Sequence, residues 1–164
     1  MIYIVITVLL DIFLSLFIST TYQNINMFFP FILIGAFPVF YNIIKNKKIF
    51  FLITILLGLI YDTLFSDVFL INTYYFILYS MFIYIFYNNH KASIINILLI
   101  SILGTICYDI FIFFVLILIE YSTFNINDLY YKLKNSVLIN LIYVVLSVFF
   151  FNSRIFGHKK RKKR

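Results

Sequence analysis

Residues 94–119 read IINILLISILGTICYDIFIFFVLILI, 26 positions in which Asp109 is the only charged side chain. The run is rich in Ile and Phe, which favour strands in water. Its length decides against a strand, because strands run about 4–8 residues and a spanning helix needs about 20 mostly apolar ones. The apolar residues are continuous rather than alternating, which argues against a membrane β-barrel. A helix also satisfies its own N–H and C=O groups, each of which costs several kcal/mol when unpaired in hydrocarbon. This stretch predicts an all-α integral membrane protein.

The rest of the chain extends that reading. Of 164 residues 64% are hydrophobic, with 22 Phe and 14 Tyr, and only 12% are charged. A soluble domain carries roughly a quarter charged residues. At about 25 residues per span and loop, the chain has room for a bundle of about six transmembrane helices. The spans are expected at about 2–20, 27–44, 49–66, 72–87, 93–119 and 136–152, making a transmembrane domain over 1–152 and leaving a basic tail over 153–164. The first run lacks the basic segment and small-residue cleavage site of a signal peptide and is read as a retained span. Pro30 falls in the first turn of span two, where its missing N–H costs little, and Pro38 is expected to kink that span. Residues 120–134 form the longest loop on this reading.

Lys and Arg in short loops set orientation. Six spans put Lys45, Lys47, Lys48, Lys91 and the seven basic residues of positions 154–164 on one side, and only Lys132 and Lys134 on the other. Both termini are therefore expected to be cytoplasmic. Lys45, Lys47 and Lys48, with Lys159, Lys160, Arg161, Lys162, Lys163 and Arg164 of the tail, read as determinants of topology and of attraction to anionic membrane lipid. The net charge of +7 gathers in that tail rather than in a folded basic module, which argues against nucleic acid as a partner.

The informative residues are the carboxylates inside apolar runs, Asp11, Asp62 and Asp109. A charge at the bilayer centre costs about 2.5–3.5 kcal/mol on insertion scales, so such groups face the bundle interior and have a role. They can bond to Ser, Thr, Tyr or Asn on a neighbouring helix, line an ion or proton path, or bind a partner. Their depths do not line up as a relay, and the apolar runs hold no Lys, Arg or His to pair them, which favours packing or partner recognition. Gly58 and Gly104 allow helix backbones to approach closely. A weak internal echo links Gly58-Leu-Ile-Tyr-Asp62 with Gly104-Thr-Ile-Cys-Tyr-Asp109. Gly58, Asp62, Asn72, Gly104 and Asp109 are the candidate helix-packing or partner-binding residues. No metal-protease, serine-hydrolase or phosphate-loop motif is present, and His90 reads as a solvated loop residue. Cys107 is the only cysteine and reads as a small packing residue. Neither an enzyme nor a cofactor is expected.

The stretch from Pro30 to Tyr87 resembles the rod shape-determining protein MreD family. The resemblance rests on Pro30 opening span two, the basic loop Lys45 to Lys48, Gly58-Leu59-Ile60-Tyr61-Asp62-Thr63-Leu64 closing span three, and Asn72 opening span four. Asn140 to Ile142 in the last span adds to it. The family's usual turn glycine is absent, and Leu70 and Ile71 stand before Asn72. The resemblance implies a non-enzymatic, multi-pass scaffold of the bacterial inner membrane that supports cell shape and lateral peptidoglycan synthesis. It implies a bitopic partner resembling MreC, together with a SEDS glycosyltransferase, a class B penicillin-binding protein and MreB filaments. The rival reading is a small-molecule-binding membrane subunit resembling the substrate-capture component of an energy-coupling-factor transporter.

Overall fold

The computed structural model describes residues 2–21, 32–44, 46–65, 70–90, 92–119 and 126–156. The described chain is all helical, with α1 Ile2–Thr21, α2 Leu33–Ile43, α3 Lys47–Phe65, α4 Ile71–Asn89, α5 Ile94–Leu118 and α6 Ile126–Phe156. Among the described residues no strand occurs. Two stretches, Ile94–Leu118 and Lys132–Phe151, are long and apolar enough to cross a membrane.

Two helices depart from the expected bounds. α6 begins at Ile126 rather than 136, so much of the expected 120–134 loop is helix. Ile126, Leu129, Leu133 and Val137 recur at helical spacing. Average hydropathy hides that period because Asn127, Asp128, Lys132 and Lys134 are interleaved with it. α2 begins at Leu33 rather than 27, and residues 27–31, Pro30 among them, lie outside the described residues. The helix runs on through Pro38, and Asn42 Nδ2 donates to the Pro38 carbonyl at 2.7 Å.

α2 is the axis of the bundle. Every residue from Leu33 to Tyr41 is buried, and the helix touches all five others. Two close pairs, α3 with α4 and α5 with α6, flank it. Phe37 of α2 packs edge-on against Phe50 and Phe76 and stacks with Tyr79, with ring centroids 4.9–6.5 Å apart. Such pairs add about 0.5–1.5 kcal/mol each to the burial of their area.

The outer faces are apolar. Leu9 and Phe13 of α1, Leu52 and Leu64 of α3, Leu99 and Phe114 of α5, and Phe149 and Phe150 of α6 are all exposed. Asp11, Thr54, Asn72, Ser101, Asp109 and Lys132 are buried instead. A protein in water rarely buries charges or exposes so continuous an apolar surface, which suits lipid or other helices.

The turn between α2 and α3 is closed by side chains. The Asn46 side chain accepts from the Lys48 N–H at 3.0 Å and caps α3. Lys47 Nζ donates to the carbonyls of Tyr41 (2.6 Å) and Ile44 (3.3 Å) and lies 3.5 Å above the Tyr41 ring. A cation is thereby held at the negative end of α2. Partial burial lowers the Lys47 pKa to about 8, so the group stays protonated at neutral pH.

Candidate functional site

A helix start leaves orphan N–H groups that need acceptors. α2 and α4 start with apolar residues, Ile32 and Leu70, that cannot supply one. Carboxylates and an amide of neighbouring helices do so instead.

At the start of α4 the acceptor is Asp62 of α3. Its Oδ1 accepts from the Asn72 N–H at 2.8 Å. Its Oδ2 accepts from the Thr73 N–H at 2.9 Å and the Thr73 hydroxyl at 2.6 Å. Gly58, one turn earlier, lets the helices come this close. A Cβ on Gly58 would sit 2.5 Å from Thr73 Cα, a backbone atom that cannot swing away. Leu70 precedes the cap with φ 61, the left-handed region that glycine occupies without strain. Asp62 grips the backbone two and three residues later and holds that turn.

At the start of α2 two helices contribute. Asp11 of α1 accepts from the Ile32 N–H at 2.5 Å, and Asn140 Oδ1 of α6 accepts from the Gly35 N–H at 3.1 Å. The Ser101 hydroxyl of α5 donates to the Gly35 carbonyl at 2.7 Å. Gly35 is therefore the point where α2, α5 and α6 meet. A Cβ there would fall 2.2 Å from Asn140 Oδ1.

The two Tyr-Asp pairs of the sequence echo tie these nodes together. Tyr61 donates its hydroxyl to the second Asp11 oxygen at 2.5 Å. Tyr108 donates to Asn72 Oδ1 at 2.6 Å. Asn72 thus joins Asp62 through its backbone and Tyr108 through its side chain. Asp109, beside Tyr108, accepts from the Ser136 hydroxyl of α6 at 2.5 Å. Gly104 packs beneath α4: Tyr75 donates to the Gly104 carbonyl at 2.6 Å and Tyr79 to the Ile100 carbonyl at 2.8 Å.

One finding changes the charge pattern. Lys132, expected in a loop, lies in α6 with 1% of its side chain exposed, and its Nζ is 4.0 Å from Asp109 Oδ1. Tyr108 reaches Asp62 through Asn72, and Asp109 follows it in the chain. The sequence set these acids at unrelated depths with no cation among them; the bundle places a buried lysine beside Asp109. Burying such charges is costly unless they are paired and bonded, as these are.

The structure therefore brings Gly58, Asp62 and Asn72 together at one helix junction, places Gly104 under α4, and turns Asp109 toward α6. Lys47 sits at the α2–α3 turn and Lys48 is exposed there. Lys45 and residues Lys159 to Arg164 lie outside the described residues. Cys107, read as a small packing residue, is exposed. Sequence reasoning passed over Gly35, Tyr61, Tyr108 and Lys132 as functional residues. The Tyr-Asp echo was the available signal for the two tyrosines; Gly35 had none, since its partner Asn140 is 105 positions away. No family model, curated protein or solved structure matches this chain.

Proposed function

We propose that this chain is a non-enzymatic, multi-pass scaffold of a bacterial inner membrane, with six spans and both termini cytoplasmic, acting in cell elongation as members of the rod shape-determining MreD family do. The observation that carries the reading is how the buried carboxylates are used. Asp11, Asp62 and Asp109 each accept from a backbone or hydroxyl donor of another helix in the same bundle. They fix helices against helices, which gives a rigid block whose outer faces are apolar and suited to a second transmembrane segment. In a membrane, helices associate through close packing and hydrogen bonds rather than the hydrophobic effect. A bundle whose polar groups already serve its own junctions offers shape to a partner.

The partner class is a bitopic membrane protein resembling MreC, with a SEDS glycosyltransferase, a class B penicillin-binding protein and MreB filaments as further members of the machinery. The test is affinity isolation of the full chain from native membranes followed by mass spectrometry. A bitopic protein retained through washing supports the reading. Isolation with a tightly held vitamin-like molecule and no membrane partner would overturn it in favour of a substrate-capture subunit.

A further inference from the structure

Hydrogen bonds between helices fix their relative heights. Tyr75 donates to the Gly104 carbonyl and Tyr108 to Asn72 Oδ1, so the start of α4 lies beside residues 104–108 of α5. Asp62 holds the end of α3 at the same level, and Ser136 of α6 meets Asp109 there. α5 runs on from Asp109 to Leu118, and α6 starts at Ile126, well before Ser136. At 1.5 Å per residue this hairpin reaches about 13 Å past the ends of α3 and α4. On the topology proposed above, that end is the non-cytoplasmic one. α3 and α4 have 19 residues each, about 28 Å, which matches a hydrocarbon core of roughly 30 Å. The last turns of α5 and the first of α6 then stand past the hydrocarbon. The residues that α6 exposes at this height are Asn127, Tyr130, Lys134 and Asn135, which suit headgroups and water. Those of α5 are Ile110, Phe114, Ile117 and Leu118, a single stripe at helical spacing that continues Leu99 and Leu103 below it. Phe114 is 59% and Leu118 79% exposed.

We infer that this stripe of α5 seats the helix of a single-spanning membrane protein, which runs unbroken past the hydrocarbon as α5 does. Lipid tails do not cover the stripe, because the polar residues of α6 at the same height mark where the tails end. A straight stripe that continues the lipid-facing side of α5 fits a helix lying along it. Apolar contacts between helices gain little inside lipid, whereas past the hydrocarbon they gain the full hydrophobic effect. The upper part of the stripe therefore carries most of the binding. The inference names the surface used by the bitopic partner and rests on the scaffold reading above.

Thiol accessibility tests it. Leu99→Cys, Phe114→Cys and Leu118→Cys, each in a Cys107→Ser background, meet a membrane-impermeant maleimide in two settings. One is the purified full chain in phosphatidylglycerol–phosphatidylcholine vesicles, and the other is native membranes holding the chain at its natural level. Positions 114 and 118 should react in vesicles and about tenfold more slowly in native membranes, the protection given by about nine-tenths occupancy. Position 99 should stay unreactive in both. A photo-crosslinker at position 118 should join a protein with one apolar span. No reaction at 118 in vesicles means that lipid covers the stripe, and equal reaction in the two settings means that nothing does. Either result overturns the inference, as does a crosslink to a second copy of the chain. If a single-spanning protein accompanies the chain but leaves 114 and 118 reactive, this surface alone fails; if none accompanies it, the scaffold reading fails as well.

Discussion

Replacing Asp62 by leucine removes the acceptor for three donors at once. The Asn72 N–H, the Thr73 N–H and the Thr73 hydroxyl all end on this carboxylate, and both residues are buried, so water does not take its place. An unsatisfied buried donor costs about 1–3 kcal/mol. The hydroxyl can rotate to another acceptor, whereas the two backbone donors cannot. Measured hydrogen bonds inside membranes average about 0.6 kcal/mol, so three of them set a floor near 2 kcal/mol. The loss at the α3–α4 junction is therefore about 2–4 kcal/mol, or about 30- to 1,000-fold in the opening equilibrium of that junction. Asp62→Asn keeps one acceptor but turns an NH₂ group toward the Thr73 N–H, and should cost about 1 kcal/mol. Hydrogen exchange over residues 70–80 in detergent or nanodiscs reads this directly. Protection should fall in the order wild type, Asn, Leu, with the amides of Asn72 and Thr73 most affected. If Leu leaves their protection within about threefold of wild type, the cap contributes less than the floor and the reasoning fails.

Other substitutions follow from the same geometry. Gly58→Ala meets backbone, whereas Gly104→Ala meets the far end of the Tyr79 ring. Chemical unfolding should therefore show Gly58→Ala as the costlier change, with Gly104→Ala partly restored by adding Tyr79→Leu. Leu70→Gly relieves the left-handed residue and should stabilise the chain by about 0.5–1 kcal/mol, the strain less the entropy glycine adds to the unfolded state. Asp109→Asn or Lys132→Met alone removes one side of the buried ion pair and should cost about 3–5 kcal/mol. The double variant should recover part of that loss, and simple additivity would show that the two groups do not interact.

The helical architecture was legible because it rests on local signals. Apolar runs such as 94–119 are too long for strands, and each run contains a helix. The start of α6 was not legible, because hydropathy averages Asn127, Asp128, Lys132 and Lys134 into a polar loop while only the spacing of Ile126, Leu129, Leu133 and Val137 shows the helix. That error also hid the buried lysine, and with it the charge balance around Asp109. Asp62 stood out as a carboxylate one turn beyond a glycine, yet its acceptor role in capping α4 depends on a turn whose geometry no residue type announces, Leu70 being a poor marker for a left-handed conformation. Gly35 and Asn140 show the limit most clearly. Each is unremarked alone, and only the packing of α2 against α6 gives them a shared purpose.

Cysteine accessibility in intact cells decides whether the bundle crosses the membrane with both ends inside. In a Cys107→Ser background, a membrane-impermeant thiol reagent is applied to Asn127→Cys, exposed in the first turn of α6, and to Lys160→Cys in the basic tail. The account predicts labelling at position 127 in intact cells and at position 160 only after lysis. Labelling of position 160 from outside intact cells, or of both positions equally, would contradict it.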